Sequence, residues 1–154
     1  LLGHEYLPEY DYSIWVDGSF EIVGDLKEYI DCYKRNEPML NFNHHGNDCI
    51  YEEVKRCKEL SKDDIRIMDE QVEHYRLEGY PEHYGMTASG MIVRDIHNEA
   101  VKKVMEKWWE EIKNGSQRDQ LSFCYVCWKE NFMYDTCDLY IINNKYVRVY
   151  GHNS

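Results

Sequence analysis

The chain has 154 residues, 43% of them hydrophobic and 31% charged, which suits one globular domain with its own core and leaves little length for a second. Acidic residues outnumber basic ones 29 to 18, a net charge of −11, so a polyanion such as duplex DNA meets a repelling field and a nucleic-acid partner is not expected. No apolar run approaches the roughly 20 residues of a bilayer span, and an aromatic share of 14% argues against a disordered chain.

In chain order, Tyr12–Val16 is β-branched and aromatic, the pattern of a buried strand, and the tight turn Asp17-Gly18-Ser19 closes it. A short strand over 20–23 follows. Asp25 caps a helix whose apolar positions Leu26, Tyr29, Ile30 and Tyr33 recur at helical spacing. Residues 39–43 make another strand. Asp48 opens a second helix with Ile50, Val54 and Cys57 on one face. A third runs over 64–78, carries Ile65, Met68, Val72 and Tyr75, and stops at Gly79 with Pro81 beyond. Residues 88–94 enter the core as a strand. A long helix over 98–113 carries Val101, Val104, Met105, Trp108, Trp109 and Ile112 in one broad apolar stripe, and Asn114-Gly115 ends it. Ser116 and Asp119 offer caps for a last helix reaching Lys129. The runs 139–142 and 146–150 around Asn143-Asn144 have the pattern of a hairpin. Strands alternate with helices, which is the signature of an α/β protein, but they are too few for a complete doubly wound sheet.

Asp17-Gly18-Ser19 is the strongest local feature. It places a carboxylate at the carboxyl edge of a sheet, where ligands of open α/β folds sit. A hard divalent cation there would take oxygen from Asp17, from the Ser19 hydroxyl and from the phosphates of its ligand. The competing reading is a plain turn in which Asp17 bonds its own backbone. Arg118, Asp119 and Gln120 also carry two readings. They are a helix cap with a solvated charge, or a polar cluster in which Arg contacts phosphate or sugar hydroxyls and Asp orients a hydroxyl proton. His44-His45 lies in a polar loop, and adjacent histidines diverge on most backbones, so a metal pair is not the default. His152, after the last β-run, is a candidate to reach the same edge as Asp17. Asn114-Gly115-Ser116 is a formal glycosylation acceptor.

The six cysteines show no repeated spacing and mostly sit beside apolar residues, which fits core thiols and a reducing, cytoplasmic setting. Cys124 and Cys127 share a helix face without a second pair at zinc-ribbon spacing, so packing is expected rather than zinc binding.

Taken together, several stretches resemble one family. They are YLPEYDYSIWVDGSFEI at 6–22, CIYEE at 49–53, QVEHYRLEGYP at 71–81, GMTASGMIVRDIHN at 85–98 and WWEEIKNGSQRDQLSFCYVCWK at 108–129. They resemble the glycosyltransferase-like domains once catalogued as a domain of unknown function, a family with plant mucilage-related and bacterial polysaccharide-related members. The resemblance implies a GT-A-like (Rossmann-like) mixed sheet flanked by helices, forming one domain over 1–154. It also implies a nucleotide-sugar donor, a glycan or other hydroxyl acceptor, and Mn2+ or Mg2+ held by a D-x-D signature against the donor diphosphate. Because Leu1-Leu2-Gly3-His4 reads as a mid-domain entry, the chain is expected to be the C-terminal portion of such a fold, without its N-terminal nucleotide-binding strands.

By the same resemblance, Asp17 is the first carboxylate of D-x-D, with Gly18 and Ser19 beside it on the donor side. Ser19 replaces the second carboxylate, so metal binding is weaker, completed by His152, or absent. The loop at His44 is similar to the family's histidine-containing loop but lacks its Pro and Arg. Arg118, Asp119 and Gln120 match the family's R-D-Q and face donor sugar or acceptor, with Asp119 nearest the acceptor hydroxyl. Two other functions stay open. One is a non-catalytic sugar-binding or scaffold module. The other is a metal-dependent amide hydrolase of the ceramidase kind linked to some plant relatives, which the scattered histidines and the missing H-E-x-x-H disfavour.

Overall fold

The computed structural model describes residues 2–150. Its elements are α1 (Gly3–Tyr6), β1 (Tyr12–Val16), β2 (Phe20–Ile22), α2 (Leu26–Tyr33), β3 (Met39–Asn43), α3 (Ile50–Glu59), α4 (Ile65–Leu77), β4 (Thr87–Asp95), α5 (Glu99–Asn114), a 3-10 turn (Asp119–Leu121), α6 (Phe123–Lys129), β5 (Asp135–Cys137) and β6 (Val147–Val149). The chain sorts into two units. Among the described residues, a sheet unit takes Gly3–Asn43, Ala88–Val101 and 133–150, and a helical unit takes His44–Thr87 and Lys102–Phe132.

The main sheet has the order β1-β4-β3-β5. β1 runs antiparallel to β4, with Trp15 opposite Ile92, whereas β5 runs parallel to β3, with Phe42 opposite Cys137. The sheet is therefore mixed and the class α/β, as the alternation of elements in the sequence implies. α2 forms because Asp25 accepts from the backbone N–H groups of Lys27 (2.8 Å) and Glu28 (3.2 Å), satisfying donors that the first turn cannot. Its buried Tyr29 stacks on Phe42 at 5.4 Å and meets Tyr146 edge-on at 5.1 Å. Leu40, Met91, Val93, Cys137 and Val147 complete this core. Each such side chain contributes about 1.5–3 kcal/mol through burial. A separate pair, β2 with β6, runs antiparallel with Glu21 opposite Arg148.

In the helical unit, Val54 and Cys57 of α3 pack with Met68 of α4 and with Leu121. Asp64 caps α4 by accepting from the N–H groups of Arg66 (2.8 Å) and Ile67 (3.4 Å). Tyr75 of α4 stacks on Tyr125 of α6 with ring centroids 3.6 Å apart.

Several sequence expectations need correction. α3 begins at Ile50 with Cys49 at its cap, and Asp48 instead pairs with His83 at 2.7 Å. The helix expected from Ser116 to Lys129 is a 3-10 turn followed by α6, with Ser122 as the cap between them. In α5, Trp109 is not part of the buried stripe: it is 39% exposed, with the Lys113 ammonium over its ring. The hairpin over 139–150 is reduced to a bridge between Asn143 and Arg148, since β6 takes β2 as its partner. β5 and α1 carry no pattern that the sequence reading picked up. All six cysteines are free, and all but Cys32 are buried. No helix among the described residues is long and apolar enough to cross a membrane.

Candidate functional site

At the end of β1 the backbone stays extended for one more residue, with the Asp17 N–H donating to the Gly90 carbonyl at 2.8 Å. The chain then reverses: the Phe20 N–H donates to the Asp17 carbonyl (3.0 Å), and Asp17 Oδ1 accepts from both the backbone N–H (2.9 Å) and the hydroxyl (2.8 Å) of Ser19. The turn reading of these residues is thus realised. The turn is also open, because Asp17 and Gly18 are exposed and Ser19 is half-buried. The strand that leads to it is not the buried one expected from its residues: β1 lies at the edge of the sheet, with Ser13 buried and Tyr12 and Trp15 exposed, and the turn at its carboxyl end is exposed with it. Among the described residues no group of three or more His, Cys, Asp or Glu side chains could hold a metal ion, and His152 lies outside the described residues.

The remaining candidates belong to the helical unit. The His44 N–H donates to the Met86 carbonyl (3.1 Å), and its ring Nδ1 donates to the Asn47 carbonyl (3.2 Å). Asn47 organises the rest of this loop. Its Oδ1 accepts from the Cys49 N–H (3.1 Å), and its Nδ2 donates to Glu53 Oε2 (3.3 Å). Glu53 is 8% exposed and also accepts from the Cys57 thiol, at 3.9 Å. Burial pushes that thiol up, as does the charge of Glu53, while the Arg118 guanidinium nearby opposes both. α3 therefore stands between two of the expected features, contacting the His44 loop through Glu53 and the Arg118 segment through Cys57.

Arg118, Asp119 and Gln120 are half-buried at the start of the 3-10 turn. The segment leading to them is fixed from outside. Ser116 is fully buried; its N–H donates to Gln71 Oε1 (3.1 Å) and its hydroxyl donates to Asp63 Oδ2 (2.6 Å). The same Asp63 oxygen accepts from the Gln117 N–H (2.8 Å), and the Ser116 hydroxyl accepts from the Arg118 N–H (3.1 Å). Trp108 donates its indole N–H to the Asp119 carbonyl at 3.0 Å. The Ser116 hydroxyl and nearby backbone N–H groups hold the Asp63 carboxyl below the usual carboxylate range. A Cβ at Gly115 would stand 2.7 Å from Gln71 Nε2, so a larger residue there would push the amide from its present position. The Arg118 Nε is buried with no hydrogen-bond partner among the described residues. Beside this segment a cleft of about 350 Å³ is lined by Ile67, Gln71, His74, Glu111, Asn114 and Gly115.

Asp63 does not stand out in the sequence, Glu53 and Gln71 enter only within matched stretches, and Trp108 reads only as an apolar helix position. Asp63 precedes the stronger cap signal of Asp64, and Gln71 sits inside a helical run, so neither advertises a long-range partner. Cys124 and Cys127 are both buried, and burial pushes the Cys127 thiol well up, which fits packing rather than thiolate chemistry.

A family model described as "TOD1/MUCI70, glycosyltransferase-like domain" matches residues 1–148. Among curated proteins the chain is 25% identical over 135 residues to "Probable hexosyltransferase MUCI70" of Arabidopsis thaliana, in an alignment that takes in 82% of this chain and 23% of that protein. The chain thus spans about a quarter of the length of that curated relative. No solved structure matches it.

Proposed function

The chain belongs to the TOD1/MUCI70 glycosyltransferase-like domain family, and from that premise we propose that it serves transfer of a sugar from a nucleotide-sugar donor to a hydroxyl of a glycan or other acceptor, in a GT-A-like fold. The observation that carries the reading is the family match over residues 1–148, taken with the exposed carboxylate of Asp17 in an open turn at the carboxyl end of β1.

A divalent cation fits that turn in one manner only. With a single carboxylate and the Ser19 hydroxyl on offer, the protein supplies no closed cage. Mg2+-type ions are nevertheless commonly held by one or two carboxylates, with the rest of the shell from water and substrate phosphates. Asp17 would hold such an ion, which supplies neutralisation of the charge on a departing nucleoside diphosphate. Gly18 leaves the backbone beside Asp17 open to the donor. His44 belongs to the donor side in this reading. Arg118 would bind phosphate or sugar hydroxyls, Asp119 would orient or accept the proton of the acceptor hydroxyl, and Gln120 would hydrogen-bond the sugar.

The test is thermal unfolding with MnCl2 and each of the common nucleoside diphosphates, alone and together. The expected result is a stabilisation that needs both the ion and one nucleotide and disappears in Asp17→Asn. A wild-type chain that responds to none of the pairs overturns the reading and favours a scaffold. Tightly bound zinc, with release of fatty acid from a lipid amide, would favour the hydrolase instead.

A further inference from the structure

We propose that Asp63, Gln71 and Trp108 are positioning residues, which set where Arg118 and Asp119 point; the proposal rests on the transfer reading, in which that pair meets the sugar. The segment 115–118 lies between two helical stretches and has no regular backbone of its own. A connection of this kind normally satisfies its polar groups with water or with near neighbours. Here the anchors come instead from α4, from the residue two before it and from α5.

The hydrogen-bond directions are over-determined. Asp63 Oδ1 accepts from the Asp64 N–H at 2.8 Å, which leaves Oδ2 aimed at Ser116 and Gln117. Tyr75 is fully buried, and burial beside Glu111 keeps its phenol protonated far beyond the ordinary range. Its hydroxyl donates to Glu111 Oε2 (2.6 Å) and so can only accept from Gln71 Nε2 (2.8 Å). That fixes the Gln71 amide, whose Oε1 is then the atom facing the Ser116 N–H. Gly115 is what lets the amide come this close. The indole of Trp108 is a donor only and pins the Asp119 carbonyl from the other side. The backbone is therefore held on both flanks of Arg118, immediately before its side chain and that of Asp119 leave the chain. Such an arrangement suits groups whose placement matters, because a displacement of about 1 Å at a reacting centre can cost on the order of 100-fold in rate.

The experiment compares wild type with Asp63→Ala, Asp63→Asn and Gln71→Met. It measures amide hydrogen exchange at Ser116, Gln117 and Arg118, and Mn2+-dependent release of nucleoside diphosphate from a panel of nucleotide sugars. Exchange should quicken by about tenfold, the equivalent of one lost hydrogen bond, at Gln117 in Asp63→Ala and at Ser116 in Gln71→Met. The kcat for release should fall about tenfold or more, with KM within about twofold. Asp63→Asn, which keeps one acceptor oxygen, should recover part of both. Should Asp63→Ala unfold, Asp63→Asn and Gln71→Met decide the matter. Unchanged exchange overturns the proposal, and so does faster exchange with an unchanged kcat, which would make the clamp purely structural. A wild type that releases no nucleoside diphosphate overturns the transfer reading and takes this proposal with it, whereas active variants beside an active wild type sink the proposal alone.

Discussion

A hydrogen bond between His83 Nδ1 and Asp48 Oδ1, 2.7 Å long, decides what both residues do. Asp48 stands where a helix cap belongs, yet its carboxylate turns to an imidazole on a residue that itself adopts φ +54. The bond and the negative charge of Asp48 raise the His83 pKa. A raised folded-state pKa means that the contribution to stability is complete below about pH 6.5, the ordinary histidine value, and fades as pH climbs through the folded-state value. Nuclear magnetic resonance titration should therefore place His83 above its ordinary value, and Asp48→Asn should lower it. An unchanged titration in that variant would show that the contact is absent in solution. The contrast with other residues is one of range. Asp25 on Lys27, Asp64 on Arg66, Asn98 on Ala100 and Asp17 on Ser19 each bond within two residues, so residue type and neighbours suffice to anticipate them. Asp48 with His83 and Asp63 with Ser116 bridge stretches that only folding brings together.

At the scale of elements, strong periodicity succeeded and short strands did not. α2, α4 and α5 each carry apolar residues at helical spacing and an Asp or Asn cap, and the structure starts each where that cap stands. β5, by contrast, is three residues of Asp, Thr and Cys, whose extended form comes from pairing with β3. It is also tied to the connection before β3, because Asp135 Oδ2 accepts from the N–H groups of Arg35 (2.7 Å) and Glu37 (3.1 Å). Asp135→Ala should cost about 1–3 kcal/mol in urea unfolding by leaving those donors without their partner, and Asp135→Asn should cost less. A loss no larger for Ala than for Asn would show that the carboxylate does not secure this strand. The hairpin expected over 139–150 failed for a related reason. Its second half found a longer ladder with β2 than its first half could offer.

For the whole molecule, composition sets the redox behaviour. The cysteines are spread over both units, and five of six are buried thiols that fill core positions. A thiol reagent should modify Cys32 alone in the native protein, and all six cysteines in denaturant. Rapid native labelling of Cys57 or Cys137 would contradict the packing of both cores. The acidic balance of −11 argues against a polyanion partner and leaves a small anionic ligand dependent on local cations or on an ion that it brings with it.

Residue order alone established the α/β class, the span of most helices and long strands, the free thiols, the Asp17 turn and the family. All of these follow from local chemistry: periodicity, capping, turn preference and runs of matched motif. Folding decided the rest. It recruited three residues as β5, turned the tail onto β2, gave Asp48 to His83, and set Asp63, Gln71 and Trp108 around the segment that carries Arg118 and Asp119. Those outcomes depend on which groups meet across distant stretches of chain, and buried donors and acceptors take whichever partner the packing brings within about 3 Å.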